Sequence, residues 1–405
     1  MNILLIPQFY PTLDKPLLGS FFKEQGELVN MEHDVRVLYL RPVGISFFNF
    51  LYSSKVKRKK YLLANDAVGN LKVYNVFYWK VNFNKTFIKF LLKSPKADEL
   101  IENIKINSIL RFYEDFIMPQ FKTDIIHAHC TVFAGVVAYK LSQKYSIPYS
   151  ITEHNYFNLS FHSDFEKQII KTSLENAQSV MVVSSFLKKQ ILLNEINCNP
   201  LIVGNLVNEK LFPLLIRDTQ KKREFKILTY TYLAWKNDVE TLFQVILTIK
   251  NIFEKKFSFV IVVSLFGQKE NANYFIQKLN EFDLNNIVEI KFDVPREEMY
   301  KIMHISDIYL CTSVVETFGI TPCESLCTGI PIVCTDNGGS DEYLDDSNGV
   351  KVISRDVKSI VAGIISICGN LEKYNSEEIR NNILKKFGVN AFKKIINNHY
   401  KSFIG

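Results

Sequence analysis

Two glutamates, Glu316 and Glu324, stand eight positions apart in the run SDIYLCTSVVETFGITPCESLCTGIPIVCTDNGGSDE, residues 306–342. An ionised carboxylate only accepts hydrogen bonds, so a pair of them suits a polyhydroxyl ligand. The run reads as strand, loop, helix, strand. Residues 308–313 are apolar, and 314–321 have neither helical nor alternating period. Thr321-Pro322-Cys323-Glu324 reads as a helix start, with Thr321 as N-cap, Pro322 at the first helical position and Glu324 completing a capping box. Gly329 ends that helix, 330–335 is a second buried strand, and Asn337-Gly338-Gly339-Ser340 opens the next turn.

Pro322 rules out one continuous helix bearing both acids. Glu316 is therefore expected in the loop after a strand and Glu324 in the first turn of the following helix. Both then face the carboxyl end of a parallel sheet, where open α/β folds bind ligands. A helix N-terminus offers free N–H groups to an anion, so a hydroxyl-rich ligand carrying phosphate fits. A plainer assignment fits the spacing as well: Glu324 only caps its helix, and Glu316 is a solvated loop acid.

The rest of the chain supplies α/β alternation around this segment. Residues 2–6 form a first strand, a loop runs to Gly19-Ser20, Ser20 caps a helix to about residue 29, and 34–40 is a second strand. This is a nucleotide-type opening without G-x-G-x-x-G, and Gly19 alone serves equally as an ordinary turn glycine. Further strands are expected at 124–128, 148–152, 177–184, 201–203, 225–232, 257–265 and 286–292, and helices at 131–145, from 185, at 238–250, at 296–305 and at 388–403. A chain of 405 residues is too long for one core, and the polar run RDTQKKRE at 217–224 is the best linker. The expected domains are 1–212 and 213–387, with a last helix at about 388–405.

His127 and His129 share one face of a strand, and His154 follows the next strand. Three histidines could hold a metal, but core packing is commoner, and a histidine at the mouth of a parallel sheet is better placed to touch a ligand. Seven cysteines, an odd number without C-x-x-C, indicate free thiols in a reducing compartment. No apolar run reaches the length of a membrane span, and the first strand lacks the basic start of a signal peptide.

The net charge is +7, and residues 1–210 hold all of the excess, with 25 basic against 18 acidic side chains. Residues 53–96 carry 11 basic side chains and one acid, Asp66, interleaved with aromatics. The region 44–96 therefore suits peripheral contact with an anionic membrane. Nucleic acid is the competing anion, but no helix-turn-helix, RRM or zinc signature is present. A solvated charge run above a packed aromatic face is the structural alternative.

Taken in order, these motifs resemble the retaining glycosyltransferases of family four, the group 1 glycosyltransferases. The most specific element is the E-x7-E run from Glu316 to Glu324, followed by G-I-P-I-V and G-G-S-D-E. Tyr10-Pro11 with Gly19-Ser-Phe-Phe-Lys-Glu-Gln, the strand ends IHAH and TEH, and the segment NLVNEKLF also match. The resemblance implies an α/β fold of GT-B type, two Rossmann-like domains with parallel sheets facing across a cleft and a C-terminal helix crossing back to the first domain.

On this sequence the resemblance implies a donor site in which Glu316 binds sugar hydroxyls, helped by the N–H groups of Phe318 and Gly319 with Ile320 beside them. Glu324 would bind the nucleotide ribose, Lys236 would neutralise the diphosphate near the Gly19 turn, and His154 would contact the donor sugar. His154, Glu316 and Lys236 are the expected catalytic residues. The family usually places an arginine where this chain has Thr231, which removes a bidentate phosphate clamp. No D-x-D occurs, so a metal-independent transfer without cofactor is expected. The expected reaction moves a sugar from a nucleotide sugar to a hydroxyl of a glycan or lipid-linked acceptor, with retention, at the cytoplasmic face of a bacterial plasma membrane and in polysaccharide synthesis. A non-catalytic GT-B partner, or a nucleotide-sugar epimerase or hydrolase, are the alternatives.

Overall fold

The structure, a computed structural model, describes residues 1–13, 15–45, 69–81, 97–215, 224–253 and 256–403. Near-continuous apolar runs make strands that can only be buried on both faces, which is the signature of a parallel sheet between helices. The chain divides into two compact units. The first comprises Met1–Val182, Leu187–Ile202 and Asn397–Gly405, and the second Val183–Phe186 and Val203–Ile396.

In the first unit the strands are β1 (Asn2–Pro7), β2 (Asp34–Ile45), β3 (Lys72–Val81), β4 (Ile125–His129), β5 (Tyr149–Glu153), β6 (Ser179–Val182) and β7 (Leu201–Ile202). They form an all-parallel sheet in the order β3-β2-β1-β4-β5-β6-β7. The order reverses between β1 and β4. Helices α1 (Ser20–Asn30), α2 (Ala97–Phe112), α3 (Val136–Tyr145), α4 (Asp164–Glu175) and α5 (Ser185–Leu193) connect them. Ile3, Leu4, Ile6, Val37, Ile126 and Ile151 are fully or almost fully buried at the sheet centre.

The second unit begins with β8 (Phe225–Thr231), α6 (Val239–Phe253), β9 (Phe257–Val263), α7 (Asn271–Glu281), β10 (Val288–Phe292) and α8 (Met299–His304). It continues with β11 (Ile308–Cys311), α9 (Ile320–Cys327), β12 (Ile332–Thr335), β13 (Gly349–Val352), α10 (Val357–Gly369), α11 (Ser376–Phe387) and α12 (Val389–Lys401), the last of which runs into the first unit. Its sheet is again all-parallel, in the order β10-β9-β8-β11-β12-β13, and reverses between β8 and β11. Phe243, Phe259, Phe275, Ile261 and Leu310 pack its core, each worth about 1.5–3 kcal/mol over exposure.

Four expectations are corrected. Helix α9 starts at Ile320, not after Thr321: Gly319 holds the N-cap position at φ 79°, no side chain caps it, and Pro322 is the third helical residue. Proline is tolerated there because the first N–H groups of a helix have no internal partner. In the same way Gly19, at φ 76°, stands before α1 where Ser20 was expected to cap. The helix over 131–145 is regular only from Val136, because Cys130 (φ 76°, ψ 139°) and Phe133 (φ 66°, ψ −55°) break it. Residues 296–305 start as a tight turn over Arg296–Glu298 before α8. Of the basic-aromatic region 44–96, residues 72–81 are strand β3 with Tyr74 and Val76 buried. Its stretches 46–68 and 82–96, and linker residues 217–223, lie outside the described residues.

Candidate functional site

In the second unit the loops after β8 and β11 flank the point where strand order reverses, the place where open α/β sheets bind ligands. Lys236 lies in the turn Trp235–Asn237 after β8. Its carbonyl accepts the Val314 N–H at 2.7 Å, which ties that turn to the loop bearing Glu316. Thr312 donates its hydroxyl proton to the Asn237 carbonyl at 3.2 Å, a second tie between the same loops. The result places Lys236 Nζ 4.0 Å from Glu316 Oε2 and 5.5 Å from the centre of the Tyr232 ring. Burial pulls the Lys236 pKa down, but the Glu316 charge and Tyr232 outweigh it, so the ammonium titrates above its ordinary value.

Glu316 is fixed through its backbone. Its N–H donates to the Asn337 carbonyl at 3.0 Å and it forms an isolated parallel bridge with Gly338. The glycines of the Asn337–Gly339 turn make this approach possible: a Cβ on Gly339 would stand 2.6 Å from the Phe318 nitrogen and 2.8 Å from the Glu316 carbonyl oxygen. Phe318 anchors the loop, its ring buried at 5.4 Å from Tyr343 and 5.2 Å from Phe387. The Tyr343 hydroxyl donates to the Gly319 carbonyl at 3.0 Å. Phe318, Gly319 and Ile320 therefore lead from Glu316 straight into the N-terminus of α9, whose first amides are free for an anion.

Glu324, on α9, is 2% exposed. It does not close a capping box; its carboxylate makes an ion pair with the guanidinium of Arg296. Arg296 in turn lies over the Phe212 ring at 5.3 Å. The structure thus brings Lys236, Glu316, Phe318, Gly319, Ile320 and Glu324 onto neighbouring loops and one helix end, and adds Arg296, which the sequence reading treated only as the start of a helix.

Gly19 and His154 belong to the first unit. A Cβ on Gly19 would meet the Phe9 carbonyl carbon and oxygen at 2.6 Å, so the loop after β1 needs glycine there. His154 is buried, with Nε2 3.0 Å from His129 Nδ1 and its ring packed edge-on to Phe22 at 4.9 Å. His127 stacks on His129 at 4.4 Å and is bonded to the Tyr400 and Thr152 hydroxyls at 2.6 and 2.7 Å. Burial holds His127 and His129 well below the usual imidazole range, so they are neutral packing groups.

Glu153, another residue not singled out beforehand, organises this corner. Its carboxylate accepts the N–H groups of Thr131 at 2.7 Å, His154 at 2.9 Å and Asn155 at 2.8 Å. Burial raises its pKa and those three donors offset part of the rise. The only signal in the sequence was a charged residue ending an apolar strand.

Residues 26–203 match the model of Glycosyltransferase Family 4, and residues 201–383 match that of Glycosyl transferases group 1. The chain belongs to these glycosyltransferases. The uncharacterised glycosyltransferase MJ1178 of Methanocaldococcus jannaschii is 25% identical over 259 residues, which is 64% of this chain and 67% of that one. Among solved structures, sucrose-phosphate synthase of Thermosynechococcus elongatus superposes with a TM-score of 0.75 at 14% identity, over 100% of this chain and 99% of its own. HepE of Anabaena, solved in complex with UDP, gives 0.70 at 15% identity, over 99% and 100%. The fold of this glycosyltransferase is GT-B. Its departure from the family pattern is also visible: Thr231 is buried at the end of β8 and its hydroxyl oxygen accepts from Asn237 Nδ2 at 3.4 Å. In this glycosyltransferase a guanidinium stands beside Glu324, that of Arg296.

Proposed function

We propose that this glycosyltransferase moves a sugar from a nucleoside diphosphate donor to an acceptor hydroxyl with retention of configuration. The observation that carries the reading is the 4.0 Å approach of Lys236 Nζ to Glu316 Oε2 at the carboxyl ends of β8 and β11. A cation and a carboxylate side by side match a diphosphate next to a sugar. Lys236 and the first amides of α9 offset charge on the departing diphosphate, and preorganised donors of this kind are the main source of rate in such transfers. Glu316 accepts hydrogen bonds from the sugar hydroxyls, and the Arg296–Glu324 pair flanks the nucleoside. HepE, with the same fold, was solved with UDP-glucose, which supports the donor class.

Charge on the leaving group is handled by this lysine and these amides rather than by a metal ion, in keeping with the lack of D-x-D. The acceptor proton leaves on a phosphate oxygen as attack proceeds on the same face. The basic excess of residues 1–210 supports a lipid-linked acceptor at an anionic membrane surface; among the described residues no helix is long and apolar enough to cross a membrane.

A panel of UDP-, GDP- and ADP-sugars, with and without lipid-linked acceptor and with EDTA, tests this. Acceptor-dependent nucleotide release, unaffected by EDTA and giving product of the donor's anomeric configuration, is expected. Release without acceptor marks a hydrolase, inversion of a sugar carbon an epimerase, and no nucleotide binding a non-catalytic partner.

A further inference from the structure

Two thiols face each other near the ends of β11 and β12. The strands pair in parallel with Cys311 in register opposite Cys334, and register partners on neighbouring strands point to the same face. Neighbouring strands lie about 4.8 Å apart, inside the span of about 4.4–6.8 Å between Cα atoms that a disulfide bridges. Both cysteines are free. A single amide reaches both sulfurs: Asn337 Nδ2 donates to Cys334 Sγ at 3.2 Å and to Cys311 Sγ at 3.7 Å. Asn337 Oδ1 accepts the Ser340 N–H at 3.1 Å, which fixes the carboxamide with its nitrogen toward the sulfurs.

The two thiols are not equivalent. Cys334 is completely buried, whereas Cys311, the last residue of β11, keeps 6% exposure at the carboxyl end of the sheet. The hydrogen bond with the Cys334 thiol pulls the Cys311 pKa below its ordinary value; burial and the Glu316 charge oppose this, and the Ser313 N–H and hydroxyl assist it. The other six cysteines are pushed up, Cys334 by that same hydrogen bond and the rest by burial. The thiolate is the nucleophile in thiol chemistry. Cys311 therefore attacks, and Cys334, reachable only from Cys311, resolves.

The pair is tied to Glu316 through Asn337, whose carbonyl accepts the Glu316 N–H at 3.0 Å. The residues that follow the cysteines are also joined, since the Thr335 hydroxyl donates to the Ser313 carbonyl. Drawing the sulfurs to a bond of about 2.05 Å takes away the thiolate that the Asn337 amide holds, and so shifts the residue on which the Glu316 loop hangs.

We propose that Cys311 and Cys334 form a reversible oxidation site, closed to a disulfide by a peroxide, and that closure displaces Glu316 and slows transfer. The disulfide chemistry stands by itself, and its effect on transfer rests on the donor reading above. The Cys311 sulfur attacks one peroxide oxygen, the O–O bond breaks, and the other oxygen leaves as hydroxide and takes a proton to become water. The Cys334 sulfur then attacks the sulfenic sulfur, its proton leaves with the departing hydroxyl as a second water, and the S–S bond forms. Two thiols are oxidised by two electrons and one hydrogen peroxide is reduced to two waters. A dithiol reductant reverses the bond by exchange.

Hydrogen peroxide treatment of the full chain, followed by cleavage after glutamate, makes the test. This separates residues 299–316, with Cys311 as their one cysteine, from residues 325–342, with Cys327 and Cys334. The two peptides are expected as a cross-linked pair lighter by two hydrogens and released by dithiothreitol. Fragmentation of the wild-type pair tells Cys334 from Cys327, so the assignment does not depend on a variant that folds. In Cys334→Ala the reaction should stop at the sulfenic acid, and dimedone should label Cys311. With the donor found in the nucleotide-sugar panel, oxidised wild type should lose roughly tenfold or more in kcat/KM and recover it with dithiothreitol, while Cys311→Ala, compared with its own untreated state, should not respond to peroxide. Oxidation or dimedone labelling of other cysteines first overturns the site. A bond between Cys311 and Cys334 that leaves transfer unchanged overturns its control of Glu316. If that bond forms and neither state binds any nucleotide sugar, it is the donor reading that fails, and the oxidation site stands.

Discussion

Arg296 and Glu324 form an ion pair in which the carboxylate is 2% exposed. Removing one partner of a buried pair leaves the other charge desolvated, and that costs about 3–5 kcal/mol. Arg296→Ala is expected to lower stability by that order in urea unfolding and to raise the KM for donor. A double change to Arg296→Met with Glu324→Leu should recover much of the stability but not the donor affinity, which separates the fold's need for the pair from the ligand's.

Lys236 and Glu316 are expected to act on the reaction rather than on the fold. Lys236→Ala and Glu316→Gln should each lower kcat/KM by roughly 10²-fold, with little change in the unfolding midpoint because both side chains keep partial solvent access. Wild-type rates in either variant, measured with the donor found in the panel, would remove these residues from the site.

Two glycines test how rigid the turns before α1 and α9 must be. Gly19→Ala and Gly319→Ala both force a side chain into a left-handed conformation, costing about 1–2 kcal/mol, and both add a clash. At Gly19 the obstacle is the backbone of Phe9 at 2.6 Å, and at Gly319 it is the hydroxyl of Tyr343 at 2.5 Å. Tyr343→Phe should therefore rescue part of the thermal stability lost in Gly319→Ala, whereas no side-chain change should rescue Gly19→Ala.

Acid sensitivity should come from the first unit. Burial lowers the pKa of His399 to about 4 and holds His127 and His129 well below the usual value. An imidazole depressed in the folded state stabilises the fold in its neutral form. That contribution is complete above the unfolded value of about 6.5 and is lost as pH falls toward the folded value. For His399 the difference amounts to ~3 kcal/mol. The unfolding midpoint should drop steadily between about pH 6.5 and 4, and His399→Phe should flatten that profile.

Most strands were legible because a parallel sheet buried on both faces writes itself as short apolar runs, as in residues 2–6 and 257–263. The E-x7-E segment was legible for the same reason, with its acids placed by the strand and proline around them. What the sequence hid was tertiary. The helix after Phe318 starts on Gly319 because Tyr343, far along the chain, fixes that carbonyl, while Thr321 and Pro322 advertised a start of their own. Strand β3 was masked by lysines that read as a surface run. Arg296 carried no local mark of its partner, since Glu324 lies in a different βα unit. The break at Cys130 and Phe133 depends on Glu153 reaching across from β5, so apolar helix-forming residues gave no warning of it.

The hydrogen bond between His127 and Tyr400 joins residues 273 positions apart within the first unit. During synthesis on a ribosome, β4 emerges long before α12 does. The partner of His127 therefore emerges only after residues 203–396 of the second unit have been made. Folding of the two halves cannot be strictly sequential, and a chain halted before residue 397 leaves the half made first as the incomplete one.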